Sequence, residues 1–200
     1  KSDAIRDGGT RDTPRLATLS PSETPRVRWH RDGEAARGPE VLSWLGAGEA
    51  RGRGSDAGTP AIRAPGAAVI DAALAAGFTV EAAPGPSALT AAISLAGEIG
   101  EPFEFAGYSP RRPAELADRL RAMRPESAAL IVYEAPHRLY ATISSLSGEF
   151  PARRLILLRE LTKLHGQRWA GTLAEFSPEK VPARGELVLI FPPPAEVARE

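Results

Sequence analysis

The sequence contains no cysteine, which excludes a disulfide framework and a thiolate metal site and fits a reducing, cytoplasmic compartment. Its three histidines, His30, His137 and His165, lie far apart, so no metal-ligand spacing is present and we expect no metal. Net charge is also absent, because 25 basic residues balance 25 acidic ones, so a polyanion would need a local basic patch. No apolar run is long enough to span a bilayer, and we expect no membrane partner.

Large apolar side chains are scarce in the first third of the chain. Residues 1–64 hold 10 of them, whereas residues 128–191 hold 24. Because the stabilisation from burial scales with the apolar surface available, we expect a packed sheet in the second stretch and a loop-rich first stretch. The first stretch contains one plausible helix, "EAARGPEVLSWLGAG", with Val41, Leu42 and Leu45 on one side.

Regular periodicity begins near Pro65 and indicates helices alternating with strands. It predicts helices in "GAAVIDAALAAG", "PSALTAAISLAG", "PAELADRLRAM" and the segment after "PHR", and strands at 78–83, 103–108, 128–133, 154–160 and 186–191. Such alternation predicts an α/β fold with a largely parallel sheet. Two prolines flank a glycine between Ala82 and Ser87, which gives an N-terminal domain of 1–82, a C-terminal domain of 83–192 and a tail of 193–200.

Four polar motifs stand at or beside the ends of these elements: "SDAGTP" (55–60), "PGPSA" (84–88), "YEAPHR" (133–138) and "RELTKLH" (159–165). Ligands of open α/β sheets bind beyond the carboxyl ends of the strands, so the motifs predict a shared binding rim. Each also has a plainer interpretation. The first is an ordinary turn, Ser87 a helix cap, and Glu134 a helix-start acid beside a solvated His137 and Arg138.

A basic stretch follows the second predicted strand, 103–108. Between residues 111 and 124 the chain has five arginines and only two acidic residues, Glu115 and Asp118. The arginines are Arg111, Arg112, Arg119, Arg121 and Arg124. Arginine pairs bidentately with phosphate, so this stretch predicts contact with an RNA backbone, with a solvated helix face as the alternative.

Taken in order, "SDAGTP", "PGPSALTAA", "FEFAGYSPRR", "VYEAPHRL", "RELTKLH" and "GTLAEF … GELVLIF" resemble the ribosomal RNA small-subunit methyltransferase I family of the tetrapyrrole-methylase superfamily, over residues 34–191. The resemblance implies an α/β protein of two domains, the N-terminal one with a parallel sheet and the C-terminal one with a mixed sheet flanked by helices. It further implies a cytoplasmic homodimer that binds S-adenosyl-L-methionine between its domains. Such a dimer would methylate the 2′-hydroxyl of a cytidine in 16S rRNA of the small ribosomal subunit.

The resemblance also assigns roles to residues. Two segments would hold the cofactor: Ser55, Asp56, Ala57, Gly58, Thr59 and Pro60, and then Pro86, Ser87, Ala88 and Leu89. Since the transfer needs a base and a cation near the developing oxyanion, Glu134 or His137 is the candidate base and Lys163 or Arg138 the cation. The residues expected to face RNA are Arg111, Arg112, Arg138 and His165.

The chain departs from the family pattern mainly in its first third. The family's opening hydrophobic strand and glycine-rich turn find no match, and "ARGRG" (50–54) stands where an apolar strand is expected and is unsuited to a sheet interior. Arg63 and Ala64 replace a serine and a carboxylate, and Gly166 replaces a glutamate. Two alternatives therefore stay open: a relative without activity that binds RNA or dimerises, and a tetrapyrrole methyltransferase, which the arginine-rich stretch and "PHR" disfavour.

Overall fold

The structure, a computed structural model, describes residues 4–7, 26–28, 34–54, 58–62, 66–97, 99 and 102–195. The chain divides into two compact units, residues 1–87 and 88–200. In these ranges no helix is both long and apolar enough to cross a membrane.

The first unit contains a small parallel sheet. Its strands are β1 (Ala4–Asp7), β2 (Arg26–Arg28) and β3 (Arg51–Arg53), in the order β2-β1-β3. The segment "ARGRG", expected to be unsuited to a sheet interior, supplies Arg51–Arg53, a half-buried strand that lies at the edge of the described sheet. An edge position suits these arginines: the Arg51 guanidinium lies 4.2 Å from the Trp44 ring centre.

Two helices accompany this sheet: α1 (Glu34–Gly46), with Val41 buried as predicted, and α2 (Ala67–Ala75). Gly77 lies just after the end of helix α2, and its φ of 82° would be costly for other residue types. The amides of Gly77 and Phe78 donate to the carbonyls of Leu74 and Ala73, each at 3.0 Å.

The prediction of a strand at 78–83 is wrong. Phe78 completes the stop of the preceding helix, residues 79–83 are exposed, and no strand in the described part of the chain pairs with them.

The second unit is a five-stranded mixed sheet with helices on both faces. Its elements are α3 (Ala88–Ala96), β4 (Phe103–Tyr108), α4 (Pro113–Ala122), β5 (Ala129–Glu134), α5 (Leu139–Glu149), β6 (Arg154–Arg159), β7 (Gln167–Thr172) and β8 (Leu187–Phe191). The strand order is β4-β5-β8-β6-β7.

Alternation along the strands builds a core on each face of this sheet. Leu130 and Val132 of β5 face α4 and α5, whereas Ile131 faces the opposite layer, where α3 lies with Ala92 and Ala96. The sequence spacing predicts one apolar face on α4, with Leu116, Leu120 and Met123, and one on α5, with Leu139, Ile143 and Leu146. All are buried except Met123, which is partly buried against the same core.

The expectation of a largely parallel sheet from the helix–strand alternation is wrong in this unit. Only β4 and β5 pair in parallel. Strands β5 and β6 each pair antiparallel with β8, and β6 pairs antiparallel with β7. Strand β7 itself is absent from the strands predicted from the sequence. The short 160–166 connection accounts for the β6–β7 pair, because it allows a hairpin but no helical crossover. The mixed sheet implied by the resemblance is confirmed.

Candidate functional site

Three polar turns meet at one edge of the five-stranded sheet. Strands β4 and β5 are parallel, and both β5 and β6 are antiparallel to β8, so β4, β5 and β6 run in the same direction. The turns that follow them, 109–112, 135–138 and 160–166, therefore leave the same edge. This edge with its three turns, called the rim below, carries most of the catalytic and RNA-facing residues predicted from the sequence.

Glu134 ends β5 and is only 2% exposed. Its Oε2 accepts hydrogen bonds from the hydroxyls of Ser109 (2.6 Å) and Thr142 (2.9 Å). Its Oε1 accepts from the Ala135 amide and lies 2.7 Å from an Arg138 nitrogen. Each carboxylate oxygen has two acceptor positions, so all four are in use. This geometry favours a positioning role over that of a base.

Arg138 fixes the first rim turn. It donates to the Pro110 carbonyl (3.0 Å), to the Ser109 carbonyl (3.1 Å) and to the Ser109 hydroxyl (2.9 Å), in addition to its ion pair with Glu134. These four interactions of Arg138 tie the 109–112 turn to the end of β5, and the guanidinium is committed to the fold rather than presented to a ligand.

The other candidates on these two turns are exposed. His137 lies in the short 3₁₀ turn Pro136–Arg138, and Arg111 and Arg112 immediately precede α4. None of the three side chains has a hydrogen-bond partner among the described residues. They are therefore the rim groups available to an external ligand.

The remaining arginines of the basic stretch have partners. Arg119 pairs with Glu104 at 3.0 Å, and Arg121 pairs with Glu149 and Asp118. Arg124 donates to three carbonyls at the end of α4. The solvated-face interpretation fits these three, so the available cations of this stretch are at its start.

The third rim turn is closed by ion pairs. The Lys163 ammonium lies 2.9 Å from Glu160 and 3.0 Å from Glu186, and Glu160 also accepts from the Glu186 amide. The hydrogen bond from Lys163 is the main cause that lowers the pKa of Glu160, and the bond to Glu160 is the main cause that raises the pKa of Lys163. Lys163, the predicted catalytic cation, is thus held in ion pairs with two carboxylates, while His165 is exposed.

This turn also has unusual backbone geometry. Glu160 and Thr162 adopt φ values of 50° and 64°, a region that non-glycine residues rarely occupy. A Cβ at Gly166 would lie 3.1 Å from the Glu160 carbonyl oxygen and 3.2 Å from that of Lys163. A tight turn explains the glycine where a glutamate was expected.

Of the predicted cofactor residues, Ser55, Asp56 and Ala57 lie outside the described residues, as do Arg63 and Ala64. In the first unit, Gly58, Thr59 and Pro86 are exposed and Pro60 is half-buried. The Thr59 hydroxyl donates a long hydrogen bond of 3.5 Å to the Pro86 carbonyl.

The second unit holds the start of α3, directly after Ser87, where Ala88 is exposed and Leu89 half-buried. The Tyr133 hydroxyl hydrogen-bonds the Leu89 backbone, and burial is the main cause that raises the pKa of Tyr133. The first turn of α3 therefore touches the end of β5.

Sequence reasoning missed several residues of the rim. Ser109 and Thr142 hold Glu134 from 25 and 8 positions away, which no local pattern indicates. Arg159 was treated as part of a charged motif, but it is only 6% exposed. The period of two in "RLILLR" was the available signal, since it places Arg159 on the face of Leu155 and Leu157. Among the described residues, no three His, Asp or Glu side chains cluster to hold a metal ion.

Comparisons with known proteins agree on one family. The family model for Tetrapyrrole (Corrin/Porphyrin) Methylases matches residues 13–177. A protein named ribosomal RNA small subunit methyltransferase I from Xylella fastidiosa is 37% identical over 186 residues, which cover 90% of this chain and 68% of that protein. Its namesake from Bacillus subtilis is 34% identical over 173 residues, 86% of this chain; the chain spans only 59% of that relative's length.

Solved structures show the same fold. The methyltransferase CobJ has a TM-score of 0.60 at 24% identity, with 94% of both chains covered. A uroporphyrin-III C-methyltransferase from Thermus thermophilus, complexed with S-adenyl homocysteine, has a TM-score of 0.58 at 16% identity, with 96% of this chain and 81% of that chain covered. These structural likenesses establish the fold, whereas the sequence matches establish the relationship: the chain belongs to the ribosomal RNA small subunit methyltransferase I branch of the tetrapyrrole (corrin/porphyrin) methylases.

Proposed function

We propose that this chain binds S-adenosylmethionine and serves in 2′-O-methylation of a cytidine ribose in 16S rRNA. The observation that carries the proposal is the rim, where three same-direction strands end and the side chains of Arg111, Arg112 and His137 stand exposed without partners among the described residues. The names of the relatives support rRNA as the substrate. The domain division at 82/83, a homodimer and a cytoplasmic location belong to the same proposal.

The residues at the start of α3 fit the cofactor. The first turn of this helix is open to solvent at Ala88, and Pro86 and Ala88 are small enough for close approach. A helix N-terminus favours a carboxylate such as that of the methionine moiety. When bound, S-adenosylmethionine supplies an electrophilic methyl group on a sulfonium.

The reaction then needs a ribose held in line and a place for its proton. The 2′-oxygen forms a bond to the methyl carbon as the bond between that carbon and sulfur breaks, and the hydroxyl proton leaves to a base. His137 is assigned this role, because its exposed imidazole is available whereas Glu134 already accepts three hydrogen bonds and forms an ion pair with Arg138. Arg111 and Arg112 are assigned to neighbouring phosphates, where a guanidinium makes paired hydrogen bonds.

Two linked measurements test the proposal. Calorimetric titration of the chain with S-adenosylmethionine should give micromolar binding, and radiolabelled methyl transfer to small-subunit particles should yield an alkali-resistant 2′-O-methylated dinucleotide containing cytidine. His137→Gln should reduce turnover by about 100-fold, the scale of general base catalysis, with cofactor affinity unchanged. Arg111→Gln should weaken binding of the rRNA, because it removes a guanidinium assigned to a phosphate. Arg119→Gln is its matched control, because Arg119 is exposed but already paired with Glu104. Absence of cofactor binding would refute the proposal in favour of a chain that only binds RNA or dimerises.

A further inference from the structure

Arg159, the last residue of β6, is largely buried. The residue is 6% exposed, and its Nε has no hydrogen-bond partner among the described residues. The alternation of β6 places its side chain on the same face as Leu155 and Leu157, whose neighbours are the apolar side chains of α4 and α5. A buried cation without a carboxylate is costly, so its presence calls for a partner that the described residues do not supply.

The two carboxylates that neighbour Arg159 in the sheet and in the chain already have donors. Glu134 lies in the same row of the sheet, since both it and Arg159 pair with Leu187, but its four acceptor positions are occupied. Glu160 follows Arg159 directly. Its pKa is lowered mainly by the hydrogen bond from Lys163, then by the Glu186 amide, and only least by the charge of Arg159. No described carboxylate forms an ion pair with Arg159.

We propose that Arg159 forms an oxyanion-binding site at the rim and that its ligand is a phosphodiester of the RNA. This inference rests on the proposed function and adds a residue to it. A guanidinium presents a planar fork of donors that matches phosphate or carboxylate oxygens. Two sources have this chemistry: the RNA backbone and the methionine carboxylate of the cofactor.

The position of Arg159 favours the RNA. Its side chain shares a sheet face with Glu134, which together with Arg138 holds the turn bearing Arg111 and Arg112. Helix α3, whose first turn is assigned to the cofactor, packs on the opposite face. A phosphate at Arg159 would therefore lie on the same face of the rim as the available arginines.

The test compares three variants of the full chain. Arg159→Met removes the charge with an apolar side chain of similar length, Arg159→Lys keeps the charge without the fork, and Arg154→Met removes an exposed arginine from the other end of the same strand. The RNA probe is fluorescently labelled single-stranded decacytidylate, with affinity measured over a range of salt. Cofactor-side binding is measured with S-adenosylmethionine and with 5′-methylthioadenosine, which lacks the carboxylate.

Arg159→Met should bind decacytidylate at least tenfold more weakly, and the salt slope should fall by about 0.7, as expected for one lost phosphate contact on a single strand. Its melting temperature should equal or exceed that of the wild type, because an unpaired buried charge has been replaced by an apolar group. Arg159→Lys should recover part of the affinity, and Arg154→Met should change it less than twofold. A structural role alone would not combine unimpaired stability with lost binding.

Other outcomes overturn the proposal. A lower melting temperature for Arg159→Met with unchanged RNA affinity would make Arg159 a structural residue. Loss of the preference for S-adenosylmethionine over 5′-methylthioadenosine, with RNA binding intact, would assign the oxyanion site to the cofactor carboxylate instead. The two proposals can fail separately. If the wild-type chain binds no cofactor but Arg159→Met still weakens RNA binding, the oxyanion site stands and the proposed methyl transfer fails.

Discussion

Replacing Glu134 should loosen the end of β5 without abolishing the chemistry. Glu134→Ala leaves the Arg138 guanidinium, whose side chain is 22% exposed, without its buried carboxylate, and leaves the hydroxyls of Ser109 and Thr142 without their acceptor. Breaking a buried ion pair from one side costs about 3–5 kcal/mol. Glu134→Gln keeps the shape and one oxygen, and the two hydroxyls can rotate to accept from the amide. We therefore expect a smaller loss of about 2 kcal/mol for Gln.

Native-state hydrogen exchange measures these losses in the strand itself. Amides of β5 and β8 should exchange about 30-fold faster in Glu134→Gln, since each 1.4 kcal/mol is a factor of ten, and faster still in Glu134→Ala. Glu104→Gln is the matched control. Glu104 pairs with Arg119 in an exposed ion pair, so its loss should amount to about 0.5 kcal/mol. Wild-type exchange in Glu134→Gln, together with a hundredfold loss of methyl transfer, would show that Glu134 acts in the chemistry and that the positioning role is wrong.

Two further predictions concern the rim turn and the core. Because the Lys163 ammonium lowers the pKa of Glu160, the stabilisation from this pair is present above the ordinary carboxyl pKa and is lost as pH falls through the lowered value. In Lys163→Gln, the midpoint of the Glu160 carboxyl titration, followed by carbon-13 NMR, should therefore move to higher pH. An unchanged midpoint would contradict the pairing. Leu157→Ala, in the fully buried centre of β6, should lower unfolding free energy by about 2–5 kcal/mol in urea, whereas Leu164→Ala, at a side chain 93% exposed, should leave it nearly unchanged.

The sequence predicts the elements of the second unit well because their patterns reflect burial directly. The spacing of Leu116 and Leu120 marks one face of α4, and both are fully buried against the sheet. The continuous apolar run that becomes β5 is read correctly for the same reason, since a strand covered on both faces needs apolar residues at every position. Such patterns state what is buried, but not against which neighbour.

Pairing and direction could not be derived from local patterns. Strand β7, "QRWAGT", alternates between half-buried and exposed positions at the sheet edge and contains few large apolar residues. The segment Arg51–Arg53 has no apolar side chain to suggest a strand, yet an edge strand accommodates half-buried arginines, and Arg51 stacks on Trp44. The segment 78–83 has a strand-like alternation, but alternation alone makes no strand without a neighbour to pair with.

The candidate site shows the same limit in its charges. "SPRR" and "APHR" both present arginine directly after a strand, and their residue types alone do not separate Arg138 from Arg111. The fold separates them, because Arg138 gives its donors to Glu134, Ser109 and Pro110, whereas Arg111 is exposed with no described partner. Arg159 differs from both, because it is buried and no described carboxylate pairs with it. A charge satisfied within the fold can only position its neighbours, so ligand recognition at the rim must rest on the charges that folding leaves unsatisfied.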